Sequence, residues 1–217
     1  MLKWMAIGLG VLLAAAVLVL LAITWIESRQ ARQVGGIEPP APPAAAPSGA
    51  AVVYFSRSGN TALAARHVAG RLSASLHAIE VPQYALGPMG LARSALDAKA
   101  RRDDPGQLPD IRPRTIDLTR SHTVWLGSPV WFYSPAPPIW AFVEHNRFDG
   151  QHIVLFNTFN SNFGDDQIIA FKKKVMARGA RSFEHRHMLR GRMTQQITPE
   201  EMLQAIDDEW LGLLATP

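Results

Sequence analysis

The chain opens on an apolar run from Met5 to Ile26 with no charged side chain inside it. A helix of that length crosses a bilayer, and Trp4 and Trp25 stand near its ends, where interfacial aromatics sit. The alternative is a cleaved signal peptide. The run is long for one, and no small-x-small cleavage pattern follows closely. Lys3 precedes the run and Arg29 and Arg32 follow it, which favours a cytoplasmic carboxyl side. The expectation is a single-pass helix in the inner (cytoplasmic) membrane, with an anchor and flank over residues 1–34. Residues 35–50 then carry Pro39, Pro40, Pro42, Pro43 and Pro47 among alanines. Such a segment builds no core and reads as a semi-rigid spacer holding the rest away from the membrane.

From residue 51 the pattern becomes an alternation. Strand-type stretches at 51–55, 77–81, 123–126, 152–156 and 181–189 alternate with helix-type stretches at 61–73, 91–102, 138–145 and 165–178. A last helix begins at Thr198-Pro199, with Glu201 placed to close a capping box. Leu203, Ile206, Trp210 and Leu213 then recur at helical spacing. Strands alternating with helices predict an α/β domain over 51–217, with a doubly wound, five-stranded parallel sheet. The expected strand order is 2-1-3-4-5, with its switch point between strands one and three.

Composition narrows the chemistry. No cysteine is present, which removes disulfides, thiolate catalysis, iron–sulfur clusters and cysteine-ligated zinc. The formal charge is +4. Basic residues gather at Arg101-Arg102, Lys172-Lys173-Lys174, Arg178 with Arg181, and Arg186-His187-Arg190-Arg192. They read either as scattered solvated charge or as a face for an acidic partner or anionic lipid. No nucleic-acid motif accompanies them.

The first strand ends in Ser56-Arg57-Ser58-Gly59-Asn60-Thr61, and a helix starts at once. A strand-to-helix turn of this kind points unpaired N–H groups and the positive end of a helix dipole at one place, which suits a phosphate. Three hydroxyls add donors, and Gly59 allows close backbone approach. There is no G-x-x-x-x-G-K, so this is not a nucleoside-triphosphate loop. After strand three come Gly127-Ser128-Pro129-Val130-Trp131-Phe132-Tyr133. Three consecutive aromatics in a loop are costly to expose, and they can stack on a flat ring. Packing against Pro135, Pro137 and Pro138 is the plainer alternative. After strand four come Asn157-Thr158-Phe159-Asn160-Ser161-Asn162-Phe163-Gly164-Asp165, rich in amides and hydroxyls.

The first of these loops resembles the phosphate loop of flavodoxins, and Gly127-Ser128-Pro129-Val130-Trp131 resembles their isoalloxazine loop. The resemblance covers residues 51 to 214. It implies FMN, held at its phosphate by Ser56, Arg57, Ser58, Gly59, Asn60 and Thr61. Ser128, Pro129, Val130, Trp131, Phe132 and Tyr133 would hold the ring, and Thr158, Phe159, Asn160 and Gly164 would close it in. It also implies electron transfer between a reductase and an acceptor, with a redox partner protein or a quinone as partner. Two rivals stand beside it: an NAD(P)H- or quinone-linked FMN oxidoreductase on the same fold, and an interaction module without flavin. Flavodoxins are commonly acidic and this chain is basic, a departure that bears on the partner. His185 and His187 share a strand face as a possible metal pair, with no third ligand evident in the sequence.

Overall fold

The computed structural model describes residues 1–37, 49–191 and 195–212. Helix α1 spans Leu2–Gly35. It is long and apolar enough to cross a membrane, with a mean hydropathy of 2.9 over its most apolar window. The domain that follows runs β1 (Ala50–Phe55), α2 (Asn60–Leu72), β2 (Ser75–Ile79), α3 (Pro88–Asp103), β3 (Thr123–Trp131) and β4 (Ser134–Pro135). It continues with α4 (Pro137–His145), β5 (His152–Phe159), α5 (Asp165–Ala177), β6 (Ser182–Leu189) and α6 (Pro199–Ile206), which widens into a π-helical turn over Asp207–Leu211.

The five long strands are parallel in the order β2-β1-β3-β5-β6. The expected doubly wound sheet is therefore present. It gains one strand that periodicity did not signal: two-residue β4 folds back antiparallel on β3. The second strand lies at Ser75–Ile79 rather than 77–81. β3 and β5 both run further than their apolar runs, to Trp131 and Phe159. Polar residues there still pair in the ladder, which apolar patterning cannot reveal. The capping box forms as expected, with Thr198 Oγ1 accepting from Glu201 N at 3.1 Å and Thr198 N donating to Glu201 Oε2 at 2.7 Å. Leu213 lies outside the described residues.

Side-chain alternation along the strands divides the interior into two layers. Val53, Leu126 and Leu155 face α4 and α5, among Trp140, Phe142 and Phe171. Val52, Trp125 and Val154 face α2 and α6, among Leu63, Val68, Met202 and Trp210. Val34 of α1 belongs to the second layer and is 1% exposed. Helix α1 thus has two parts. Trp4, Leu12, Leu18 and Trp25 are exposed, whereas its last turns dock on the domain, with Ile37 packed beside them. Of the expected spacer, Ile37 packs on the domain and Ala50 begins β1, while residues 38–48 lie outside the described residues.

The basic clusters are also not one face. Arg101 and Arg190 are buried, and Lys174 and Arg178 are paired with Glu144. Arg101 lies 3.6 Å over the Trp140 ring, where burial lowers its pKa to about 10.

Candidate functional site

A cavity of about 380 Å³ opens at the carboxyl edge of the sheet, where β1 and β3 diverge to opposite crossovers. Its phosphate end is built by the turn from β1 to α2. Gly59 takes φ +93 as the N-cap of α2, a conformation that costs glycine nothing. Gly59 N donates to Ser56 Oγ at 3.1 Å, closing the turn. The first-turn N–H groups of α2 are left without intrahelical partners and point past the loop. Thr61, 1% exposed, shares a hydrogen bond with Thr158 across the sheet edge, Oγ1 to Oγ1 at 2.7 Å. That contact ties the first loop to the strand beneath the third.

Arg57 reaches the cavity wall, but its guanidinium is already engaged. Nε donates to Tyr84 O and Nη2 to Gly87 O, each at 3.2 Å, and Nη1 pairs with Glu27 of α1. Its role there is to fasten three segments together.

The ring end is a hairpin rather than a loop. Trp131 pairs with Ser134, leaving Phe132 and Tyr133 as a two-residue turn. Both have positive φ, 48° and 69°, as a type I′ turn requires. Such turns favour Asn and Gly. Two aromatics there carry strain of the kind that collects at functional sites. The turn leaves Phe132 49% and Tyr133 55% exposed. Trp131 instead turns inward, edge-on to Phe55 at 5.5 Å and near Tyr84 at 5.7 Å.

Of the residues expected from sequence, Ser56, Arg57, Ser58, Asn60 and Thr61 line the cavity, as do Pro129 to Tyr133 and Thr158 to Asn160. Three expected residues serve the frame instead. Ser128 is fully buried; its Oγ accepts from Ala136 N and donates to Pro129 O, each at 2.8 Å. Gly164 caps α5 and donates from N to Tyr133 O at 2.7 Å, tying the hairpin to the third loop. Gly59 shapes its turn. Gly127 is a packing glycine, since a Cβ there would meet Phe156 Cζ at 2.3 Å and Tyr54 Cβ at 2.9 Å.

Sequence reading missed Ile23, Glu27 and Gln30 of α1, Leu91, Ser94, Ala95 and Ala98 of α3, and Arg190, all of which line the cavity. The apolar run places Ile23 in a membrane with Glu27 and Gln30 in its flank, and charge grouping places Arg190 on the surface. No local signal marks a contact between such distant segments.

Below the ring end lies a polar relay. Asn157 Nδ2 donates to Ser128 O at 2.9 Å, so its Oδ1 is the acceptor for His185 Nε2 at 2.9 Å. Burial, and then the neighbouring His187, pushes the pKa of His185 down to about 4. The two rings are 5.6 Å apart and pack around Phe163. Among the described residues no group of three or more metal-binding side chains gathers, so the pair finds no third ligand there.

A family model for flavodoxin matches residues 50–203. The chain belongs to the flavodoxin family. A solved candidate flavoprotein from Bacteroides uniformis is 21% identical, with a TM-score of 0.57, covering 73% of this chain and 97% of its own. Another from Bacteroides eggerthii is 22% identical, with a TM-score of 0.57, covering 77% and 98%. A flavoprotein in complex with FMN from Lactobacillus acidophilus is 17% identical, with a TM-score of 0.52, covering 63% and 91%. At these identities the likeness is one of fold. No curated protein matches the chain.

Several orphaned polar atoms in the cavity fit a polar ligand. Asn60 Oδ1 and Arg190 Nε and Nη1 are buried without hydrogen-bond partners among the described residues. Such atoms are uncommon in folded proteins unless something completes them. A hydroxyl- and N–H-rich phosphate end joined to an aromatic end suits FMN in donor set and in size.

Proposed function

We propose that this flavodoxin-family chain holds FMN in the cavity and passes electrons between a reductase and an acceptor at the membrane into which α1 inserts. The observation that carries the reading is the meeting of three separate loops at the switch point, one built for a phosphate and one presenting strained, exposed aromatics. FMN supplies the redox chemistry when bound. The chain's own part is to hold and shape. Ser56, Ser58, Thr61 and the first turn of α2 bind the phosphate. Phe132 and Tyr133 cover the ring, Trp131 supports them from beneath, and Thr158 to Asn160 meet the ring's polar edge. No acid–base residue is needed for this task.

Support for a membrane acceptor comes from α1. Ile23 lies within the apolar run and also lines the cavity with Glu27 and Gln30. A lipid-soluble quinone fits that placement, with the domain on the cytoplasmic side. The test is to reconstitute the FMN-loaded full chain into lipid vesicles containing a quinone and reduce the flavin stoichiometrically. Rapid reoxidation that needs quinone in the bilayer, with two separate one-electron steps in a redox titration, supports the carrier. A single two-electron step with sustained NAD(P)H-to-quinone turnover would replace it by the oxidoreductase. Indifference to bilayer quinone would remove the membrane acceptor.

A further inference from the structure

We propose that Arg190 is an anion-binding residue of the cavity, set opposite the N-terminus of α2, and that it selects phosphorylated over unphosphorylated flavin. The proposal rests on the FMN reading above and adds a residue and a specificity to it.

Arg190 follows β6 directly, and its main chain is pinned at the sheet edge. Its N donates to Phe159 O at 2.8 Å and its O accepts from Ile197 N at 3.0 Å. Strand parity fixes its direction. Val154, Phe156 and Met188 all face the α2 and α6 layer. Side chains two residues on share a face, so Thr158 and Arg190 point to that layer as well. Thr158 demonstrates it by bonding Thr61 in the first turn of α2. Arg190 stands two residues past Met188, the register partner of Thr158, at 4% exposure, and lines the same cavity.

Charge balance makes this side chain unusual. The charged residues lining the cavity, among those described, are Glu27, Arg57 and Arg190. Glu27 and Arg57 pair with each other. Arg190 forms no ion pair among the described residues, and its Nε and Nη1 have no hydrogen-bond partner there. Burial pulls its pKa below the usual arginine range, and Glu200 offsets that only in part. A buried guanidinium without an anion is left with an uncompensated charge. A phosphate monoester on the α2 N-terminus would supply the missing charge and accept from a planar fork of donors. The unphosphorylated flavin would leave that charge uncompensated.

The experiment titrates the purified full chain in detergent with FMN and with riboflavin, comparing wild type, Arg190→Gln and Arg190→Lys. Arg190→Gln is expected to weaken FMN roughly 10- to 100-fold, the range of a charge-assisted hydrogen bond, while riboflavin changes less than about threefold. Arg190→Lys is expected to fall between wild type and the glutamine variant, with a steeper salt dependence. Equal losses for both flavins would show a structural role and overturn the proposal, as would unchanged FMN binding in either variant. Should wild type take up neither flavin, the FMN reading fails, and inorganic phosphate still decides the anion site. A thermal upshift by phosphate in wild type that shrinks in Arg190→Lys would support the site. No upshift in wild type would overturn it.

Discussion

The two ends of the cavity are built on opposite terms. The phosphate end is made from regular elements: a strand edge, one glycine turn and a helix start, locked by the Ser56–Gly59 and Thr61–Thr158 contacts. The ring end is a strained hairpin whose two central aromatics are half exposed. One end is ready before any ligand arrives. The other holds apolar surface and backbone strain that a stacked ring would offset. Affinity should therefore reside mainly at the phosphate end, and redox tuning and partner access at the ring end.

The largest expected effect breaks the phosphate end. Thr61→Glu puts a carboxylate at a buried position facing a phosphate and removes the bond to Thr158. FMN affinity should fall by at least about 1,000-fold, some 4 kcal/mol, in a flavin-fluorescence titration, with far-UV circular dichroism confirming the fold. Retained binding would show that the phosphate is held elsewhere.

The relay beneath the ring end comes next. Below about pH 6.5 the unfolded chain takes up a proton at His185 that the folded chain refuses until about pH 4. This contribution to stability is complete above pH 6.5 and is lost as the pH falls towards 4. It amounts to about 2–3 kcal/mol. Denaturant melts across that window should show the slope, and His185→Gln should flatten it.

Relieving the turn separates strain from function. The double change Phe132→Asn with Tyr133→Gly suits a type I′ turn and should stabilise the ligand-free fold by about 1–2 kcal/mol. The same change removes two aromatic faces and should weaken FMN and riboflavin alike, roughly tenfold. Loss of fold stability instead would mean that the aromatics hold the hairpin rather than burden it.

The smallest effect sharpens the part played by α1. Glu27→Gln removes the negative charge nearest the phosphate loop while Arg57 keeps its two carbonyl partners. FMN should bind about three- to fivefold tighter, with riboflavin unchanged, as expected for one partly screened charge. No change would place Glu27 outside the phosphate's field.

Much of this was legible in the sequence, for reasons particular to each part. Apolar runs of β-branched and aromatic residues mark β1, β3 and β5, alternation with helices implies β2 and β6, and Thr198 with Glu201 marks the start of α6. The phosphate loop was legible because its function depends on local chemistry: hydroxyls, one glycine and a helix start, all within six residues. The hairpin was not, since neither Phe132 nor Tyr133 carries the Asn-Gly signal of a tight turn. Ser128 and Gly164 sit in loops that resemble ligand loops, and a motif cannot distinguish a residue that touches the ligand from one that braces the loop. Arg190 and the last turns of α1 reach the cavity only through tertiary contacts. Charge grouping placed Arg190 on the surface, whereas strand parity and the fold of β5 against β6 bring it inside.

The most direct measurement is a titration of the purified full chain with FMN, following flavin absorbance and fluorescence to the end point. One FMN per chain is expected, with strong quenching and a perturbed visible spectrum as the ring settles against the aromatic hairpin. A chain that stays colourless and leaves added FMN unquenched would contradict that expectation, and would leave the flavodoxin fold standing without its cofactor.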